Sequence, residues 1–281
     1  MKRLILFLLA FIVIKMNAQD NLIFNRRFIE CEDQWVAFSI NEDSSHIYGF
    51  IYIDSQAGLT LNLEGRFKYE PDSSLVVKKE QDTNIKVRLE NNNVNVAIIP
   101  EEMFNDLHVD SIPEWLKYYK TDVDSITRLY KWGYMYNGWG LCDKALEYLL
   151  KAKAIDVEYK GLLTEIAYSY NCLKKYDLSA EVLAEALRLN PTDAYTNKEY
   201  IYTLSQQKNI QKAIEQYEKL VELEVDDTYN AENCFNILGQ FYYQKDVKNF
   251  KKWVKELRKW PNSNKKIDAY IEMMEKELKK N

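Results

Sequence analysis

At 281 residues, with 14% aromatic residues and only 8 Gly and 5 Pro, the chain holds apolar material for two cores and little glycine for phosphate-cradling loops. Its formal charge of -5 becomes -8 once the first 18 residues, with three cations and no acid, are set aside. That balance excludes polyanion binding as the role of the whole chain, and no nucleic-acid partner is expected.

Met1 to Arg3 form a basic start, Leu4 to Ile14 an apolar run, and Asn17-Ala18 a cleavage site before Gln19. A helix of that length rises about 16 Å, short of the roughly 30 Å hydrocarbon layer. Residues 1–18 therefore read as a signal peptide cut after Ala18, with an uncleaved anchor as the alternative because Met16 is large for the cut. No cysteine follows the run, so the lipoprotein pattern is absent. The expected location is exported, in a bacterial periplasm or cell envelope. Export permits disulfides, yet Cys31, Cys142, Cys172 and Cys234 lie scattered, with neither CxxC nor metal-ligand spacing. Each reads first as a small buried apolar residue.

Residues 19–99 form a β-rich region whose pattern has period two from about Phe24 to Ile99. Gln34–Ile40, His46–Asp54, Leu59–Leu63, Arg66–Tyr69, Ser74–Lys78, Asn84–Leu89 and Val94–Ile99 predict short strands rich in Ile, Val, Tyr and Phe, parted by polar turns. They predict a small antiparallel β domain whose apolar face is expected to bury against the helical region that follows. Residues 100–121 are a linker in which Ser111-Ile-Pro-Glu114 predicts a helix start, with Trp115, Leu116 and Tyr119 on one face.

From Asp122 the periodicity is helical, and it repeats. Taking Lys160 as position 1, the unit Lys160–Asp193 has Ala167 at position 8, Tyr170 at 11, Ser179 at 20, Leu183 at 24, Ala186 at 27 and Pro191 at 32. One unit earlier, from Ile126, these places hold Gly133, Tyr136, Ala145, Leu149, Ala152 and Val157. One unit later, from Ala194, they hold Ile201, Leu204, Ala213, Tyr217, Leu220 and Val225. A fourth unit near Glu232 reads Leu238-Gly239, Tyr242, Phe250, Leu257 and Pro261. Small residues at positions 8, 20 and 27 let paired helices approach, and large ones fill the space between pairs. Ile201, Leu220 and Phe250 depart from that rule, which predicts slight splaying late in the array. The pattern resembles tetratricopeptide repeats, over residues 122–264. The predicted fold class is α+β: the β domain, about four tetratricopeptide-like helix pairs, and a capping helix at 265–281.

Neither His46 nor His108 has a second ligand at metal spacing, and both read as surface residues. No H-E-x-x-H, G-x-S-x-G, Walker-type or dinucleotide glycine pattern occurs, and no carboxylate pair stands out. No cofactor, no metal and no enzymatic activity are expected. Resemblance to tetratricopeptide arrays implies a concave groove lined by positions 2, 5, 9 and 12. Position 9 is Tyr134, Tyr168 and Tyr202 in three successive units. Position 12 is Asn137, Asn171 and Ser205, and position 5 is Tyr130, Thr164 and Lys198; Asn236, Gln240 and Tyr243 continue the groove. Tyrosine offers a rigid apolar face with a hydroxyl, and an asparagine amide can pair with a peptide backbone. A composition-driven tyrosine column packing between helices is the bland alternative. Lys198 is the one basic groove position, so a clamp for a partner's C-terminal carboxylate is not expected. The same fold would bring the ends holding Cys142 and Cys172 near each other, making a disulfide between them a candidate.

Residues 245–281 hold 12 Lys plus Arg against 6 Asp plus Glu, a basic tail that suits an anionic envelope surface or a solvated cap. The expected function is non-catalytic binding of a protein or peptide in the groove. The alternatives are an envelope enzyme or glycan-binding protein with its site on the β domain near Trp35, Tyr48 and Tyr52, and a self-assembling structural subunit.

Overall fold

A computed structural model gives the fold and describes residues 22–72, 74–80, 85–121, 125–224, 226–261 and 265–279. The expected signal peptide with its cut, and Val225, lie outside the described residues. The chain divides into two compact units, Met1–Thr121 and Asp122–Asn281.

In the first unit β1 (Arg26–Arg27), β2 (Gln34–Phe38), β3 (His46–Asp54), β4 (Gly58–Tyr69), β5 (Leu75–Lys79), β6 (Lys86–Arg88) and β7 (Asn95–Ile98) form one sheet. Its order is β1-β7-β2-β3-β4-β5, with β6 also paired to β4, and every pairing is antiparallel. The expected strands Leu59–Leu63 and Arg66–Tyr69 are one strand, because the break between them is a bulge. Tyr48 opposes Gly65 and Gly49 opposes Leu63, which leaves Glu64 as the extra residue. Gly65 permits the close approach there: a Cβ on it would lie 2.4 Å from the Lys78 carbonyl oxygen. Before the bulge β4 pairs with β6, and beyond it with β5.

Both faces of β3 are buried. One carries Tyr48, Phe50 and Tyr52, which cluster with Trp35, Ala37, Phe67, Ile99, Met103, Leu107 and Leu116. This face is covered by residues of its own unit. A 3-10 helix over Glu114–Tyr119 sets Trp115 edge-on to Phe50 at 5.8 Å and Tyr52 at 5.0 Å, with Tyr119 4.7 Å from Tyr52. Its cap is Pro113 and not Ser111, and its six residues make it longer than most 3-10 helices. His46 shares the parity of Tyr48 and Phe50, so it points into this cluster instead of to solvent. It stacks between Phe24 and Phe67, and its Nδ1 lies 2.7 Å from the Phe38 carbonyl oxygen. His108 is exposed.

The second unit is a tetratricopeptide-like array followed by a capping helix. Its helices are α1 (Ile126–Gly138), α2 (Cys142–Ile155), α3 (Leu162–Cys172), α4 (Tyr176–Leu189), α5 (Ala194–Gln206), α6 (Ile210–Glu222), α7 (Asn230–Tyr243), α8 (Val247–Leu257) and α9 (Lys265–Leu278). The small positions act as the pattern requires: a Cβ on Gly133 would stand 2.3 Å from Leu149 Cγ, and Ala145, Ala167 and Ala213 are fully buried. Ser179 uses its hydroxyl as well as its size, donating to the Ala167 carbonyl at 3.1 Å. Ile201, Leu220 and Phe250 are buried despite their bulk. Each pair turns through one residue of positive φ: Gly140, Lys174, Lys208 and Lys245. Ile267, Ile271 and Met274 of α9 close the far end against the core of α5 to α8.

Candidate functional site

The groove positions separate into two groups with different surroundings. Tyr134 is 59% exposed and Tyr243 75% exposed, while Tyr130, Tyr168, Tyr202, Lys198, Asn236 and Gln240 are half-buried. The Tyr130 and Tyr134 rings stack at 6.4 Å, and burial pushes the Tyr130 hydroxyl up to about 12, so it stays neutral. The Nδ2 of Asn236 is buried without a hydrogen-bond partner among the described residues.

Asn137, Asn171 and Ser205 form the second group, and they are buried in the joints between repeats. Asn137 Nδ2 donates to the Glu165 carbonyl and to its Oε2, both at 2.9 Å, while Asn137 Oδ1 accepts from Ser169 at 2.7 Å. Asn171 Nδ2 donates to Glu199 Oε2 at 3.0 Å, and its Oδ1 accepts from Thr203 at 2.9 Å. Ser205 donates to the Ile201 carbonyl at 2.8 Å. The two asparagines therefore lock one repeat to the next and have no free amide for a bound backbone. Thr164 is likewise engaged, with its hydroxyl 2.7 Å from that of Thr196. Lys198 Nζ lies 2.5 Å from Glu199 Oε1 and over the Tyr195 and Tyr229 rings at 4.5 and 5.6 Å. Its charge is satisfied inside the array.

Sequence reasoning passed over Glu165. It is 5% exposed, and burial is the main cause that raises its carboxyl to about 7, with Glu199 adding to the rise and the Asn137 bond opposing it. It lines a cavity of about 410 Å³ with Tyr130, Tyr159, Gly161 and Tyr195. The signal was present as the 34-residue recurrence of Glu165 and Glu199 one place after the groove position.

Cys142, the first residue of α2, and Cys172, the last of α3, stand as a disulfide with Cα atoms 6.3 Å apart. Cys31 and Cys234 are free, and burial raises each thiol to about 12, which keeps both inert. On the β unit a cleft of about 800 Å³ is lined by Trp35, Trp115, Tyr118, Lys79 and Lys86 among others. Tyr48 and Tyr52 do not reach it; they are core residues. Its lysines are already bonded, Lys79 to Glu64 and to the His108 carbonyl at 2.7 Å each, and Lys86 to the Tyr119 hydroxyl at 2.6 Å.

No family model matches the chain, and no curated protein matches it. Among solved structures, MamA AMB-1 overlaps 51% of this chain and 76% of its own length, at 17% identity and a TM-score of 0.41. MamA MSR-1 overlaps 51% and 80%, at 17% identity and a TM-score of 0.42.

Proposed function

We propose that this protein is a non-catalytic interaction module that binds a protein or peptide segment along the tyrosine column of its helical array. The observation that carries the reading is the recurrence of Tyr134, Tyr168 and Tyr202 at one place in three successive repeats, with part of each ring open to solvent. The buried Asn137 and Asn171 bonds fix the spacing of that column, so the rings are presented on a rigid frame, which lowers the ordering cost of binding. Tyrosines so held suit anchor positions in a peptide interface. The Cys142–Cys172 bond supports export, because such bonds persist in oxidising compartments. We place the protein in a bacterial periplasm or cell envelope on that ground and on the basic-then-apolar N-terminal sequence. Lys248, Lys251, Lys252 and Lys255 on α8 are exposed and give the basic tail a surface for an anionic envelope face.

One observation favours a second reading, a glycan or small molecule on the β unit: the cleft that joins Trp35 and Trp115. The paired state of its lysines places it behind the groove.

The test is an affinity capture from envelope extract with the mature chain beside the Tyr134→Ala, Tyr168→Ala, Tyr202→Ala triple variant. Capture of a protein by the wild type, lost in a folded variant, supports the groove. Equal capture by both overturns it.

A further inference from the structure

Glu165 and Glu199 stand one repeat apart, and each accepts a hydrogen bond from the asparagine of the preceding repeat. They differ in what precedes them. Lys198 neutralises Glu199 while lying against Tyr195 and Tyr229. One repeat earlier the lysine place is Thr164 and the place equivalent to Tyr195 is Gly161. Those two exchanges remove a cation and a ring, and the space they leave belongs to the cavity of about 410 Å³ beside Glu165. Tyr130 reaches in from α1, its hydroxyl 2.9 Å from where a Gly161 Cβ would be, and Tyr195 forms the opposite wall.

Glu165 forms no ion pair among the described residues, and its carboxylate accepts one side-chain hydrogen bond, from Asn137. A buried carboxylate is ordinarily paired, because its charge is costly away from water. Tyrosine rings favour cations over their faces. The other charged groups at the rim are Glu158, Lys160 and Asp193, and Asp193 is occupied capping α5 through Thr196. Lys198, the nearby cation, is held by Glu199 and by Glu232 at 3.9 Å.

We propose that this cavity receives a lysine or arginine side chain of the bound polypeptide, with Glu165 as its counter-ion and Tyr130 and Tyr195 as its walls. The inference rests on the groove reading above, and Lys198 against Tyr195, Tyr229 and Glu199 shows the same chemistry satisfied within the chain. Because burial raises the Glu165 carboxyl to about 7, cation binding must displace a proton below that pH.

The experiment titrates the full chain with acetyl-lysine methylamide, acetyl-arginine methylamide and the neutral acetyl-methionine methylamide, read by amide shifts at Gly161, Thr164 and Glu165. The cationic probes should give saturable shifts that the neutral one does not. Their affinity should rise about tenfold from pH 6 to pH 8, as the ionised fraction of Glu165 rises. Glu165→Gln, which keeps an acceptor for Asn137, should weaken them at least tenfold. Thr164→Lys, which restores the lysine of the next repeat, should abolish binding in a folded chain. Absence of saturable shifts, equal response to the neutral probe, or unchanged affinity in Glu165→Gln overturns the proposal. Tyrosine-dependent capture that persists in Glu165→Gln would show that this pocket alone is misassigned; loss of tyrosine dependence would instead remove the groove.

Discussion

Asn137 reaches across the joint between two repeats and donates to both the main-chain carbonyl and the carboxylate of Glu165, at 2.9 Å each. Asn171 repeats the carboxylate bond to Glu199 one unit later. These two buried bonds tie the repeat of Tyr134 to that of Tyr168, and the repeat of Tyr168 to that of Tyr202.

Asn171→Ala should therefore destabilise the helical unit by about 1–3 kcal/mol, since it strips a donor from Glu199 and an acceptor from Thr203 in a buried site. Urea unfolding followed by helical circular dichroism measures this. A change under half a kcal/mol would mean the ladder is decorative.

Glu165 gives stability a pH dependence with a definite sign. Its folded carboxyl titrates near 7 against an ordinary 4.5, so the native state holds the proton more tightly than the unfolded chain. Stability is then greatest below about 4.5 and falls as pH rises through 7, by a few kcal/mol at most. Glu165→Gln should flatten this part of the profile and raise the melting temperature at pH 8 relative to the wild type. Parallel melting curves of the two chains between pH 5 and pH 8 decide it.

The Cys142–Cys172 bond closes a segment with a sequence separation of 30. Replacing both by serine should cost about 3 kcal/mol, chiefly by freeing the unfolded chain. Intact-mass analysis of the unreduced protein should find two free thiols, those of Cys31 and Cys234. Four free thiols would remove the bond and with it one support for export.

Lys174 and Lys208 turn their helix pairs at φ of 58° and 61°, a region in which a Cβ is strained. Lys174→Gly and Lys208→Gly should each stabilise the array by about 0.5–1 kcal/mol, against the usual cost of adding glycine. Gly140 fills the equivalent place in the first repeat without that strain. Thermal unfolding of the single variants provides the check.

The repeat could be read from the chain because helix pairing is local: Ala145, Ser179 and Ala213 recur every 34 residues where two backbones must touch. The strand region was legible for the same reason at β3, where His46, Tyr48, Phe50 and Tyr52 alternate with Ile47, Gly49, Ile51 and Ile53, and not at β1, where two residues are too few to show a period. Glu64 hid the continuity of β4, because a bulge resets the alternation that marks a strand. By itself the sequence determined the α+β order, the 34-residue period and the tyrosine column. Only the tertiary structure decided that Asn137 and Asn171 face a neighbouring helix, that His46 is a core residue, and that residues 99–119 cover the aromatic face of their own sheet. A period fixes which side of a helix a residue takes, whereas burial depends on which distant segment arrives there. Glu165 shows the difference: it and Glu199 share one place in the repeat, and the chain itself sets Lys198 beside Glu199, whereas only folding brings Tyr130 and Tyr195 around the cavity beside Glu165.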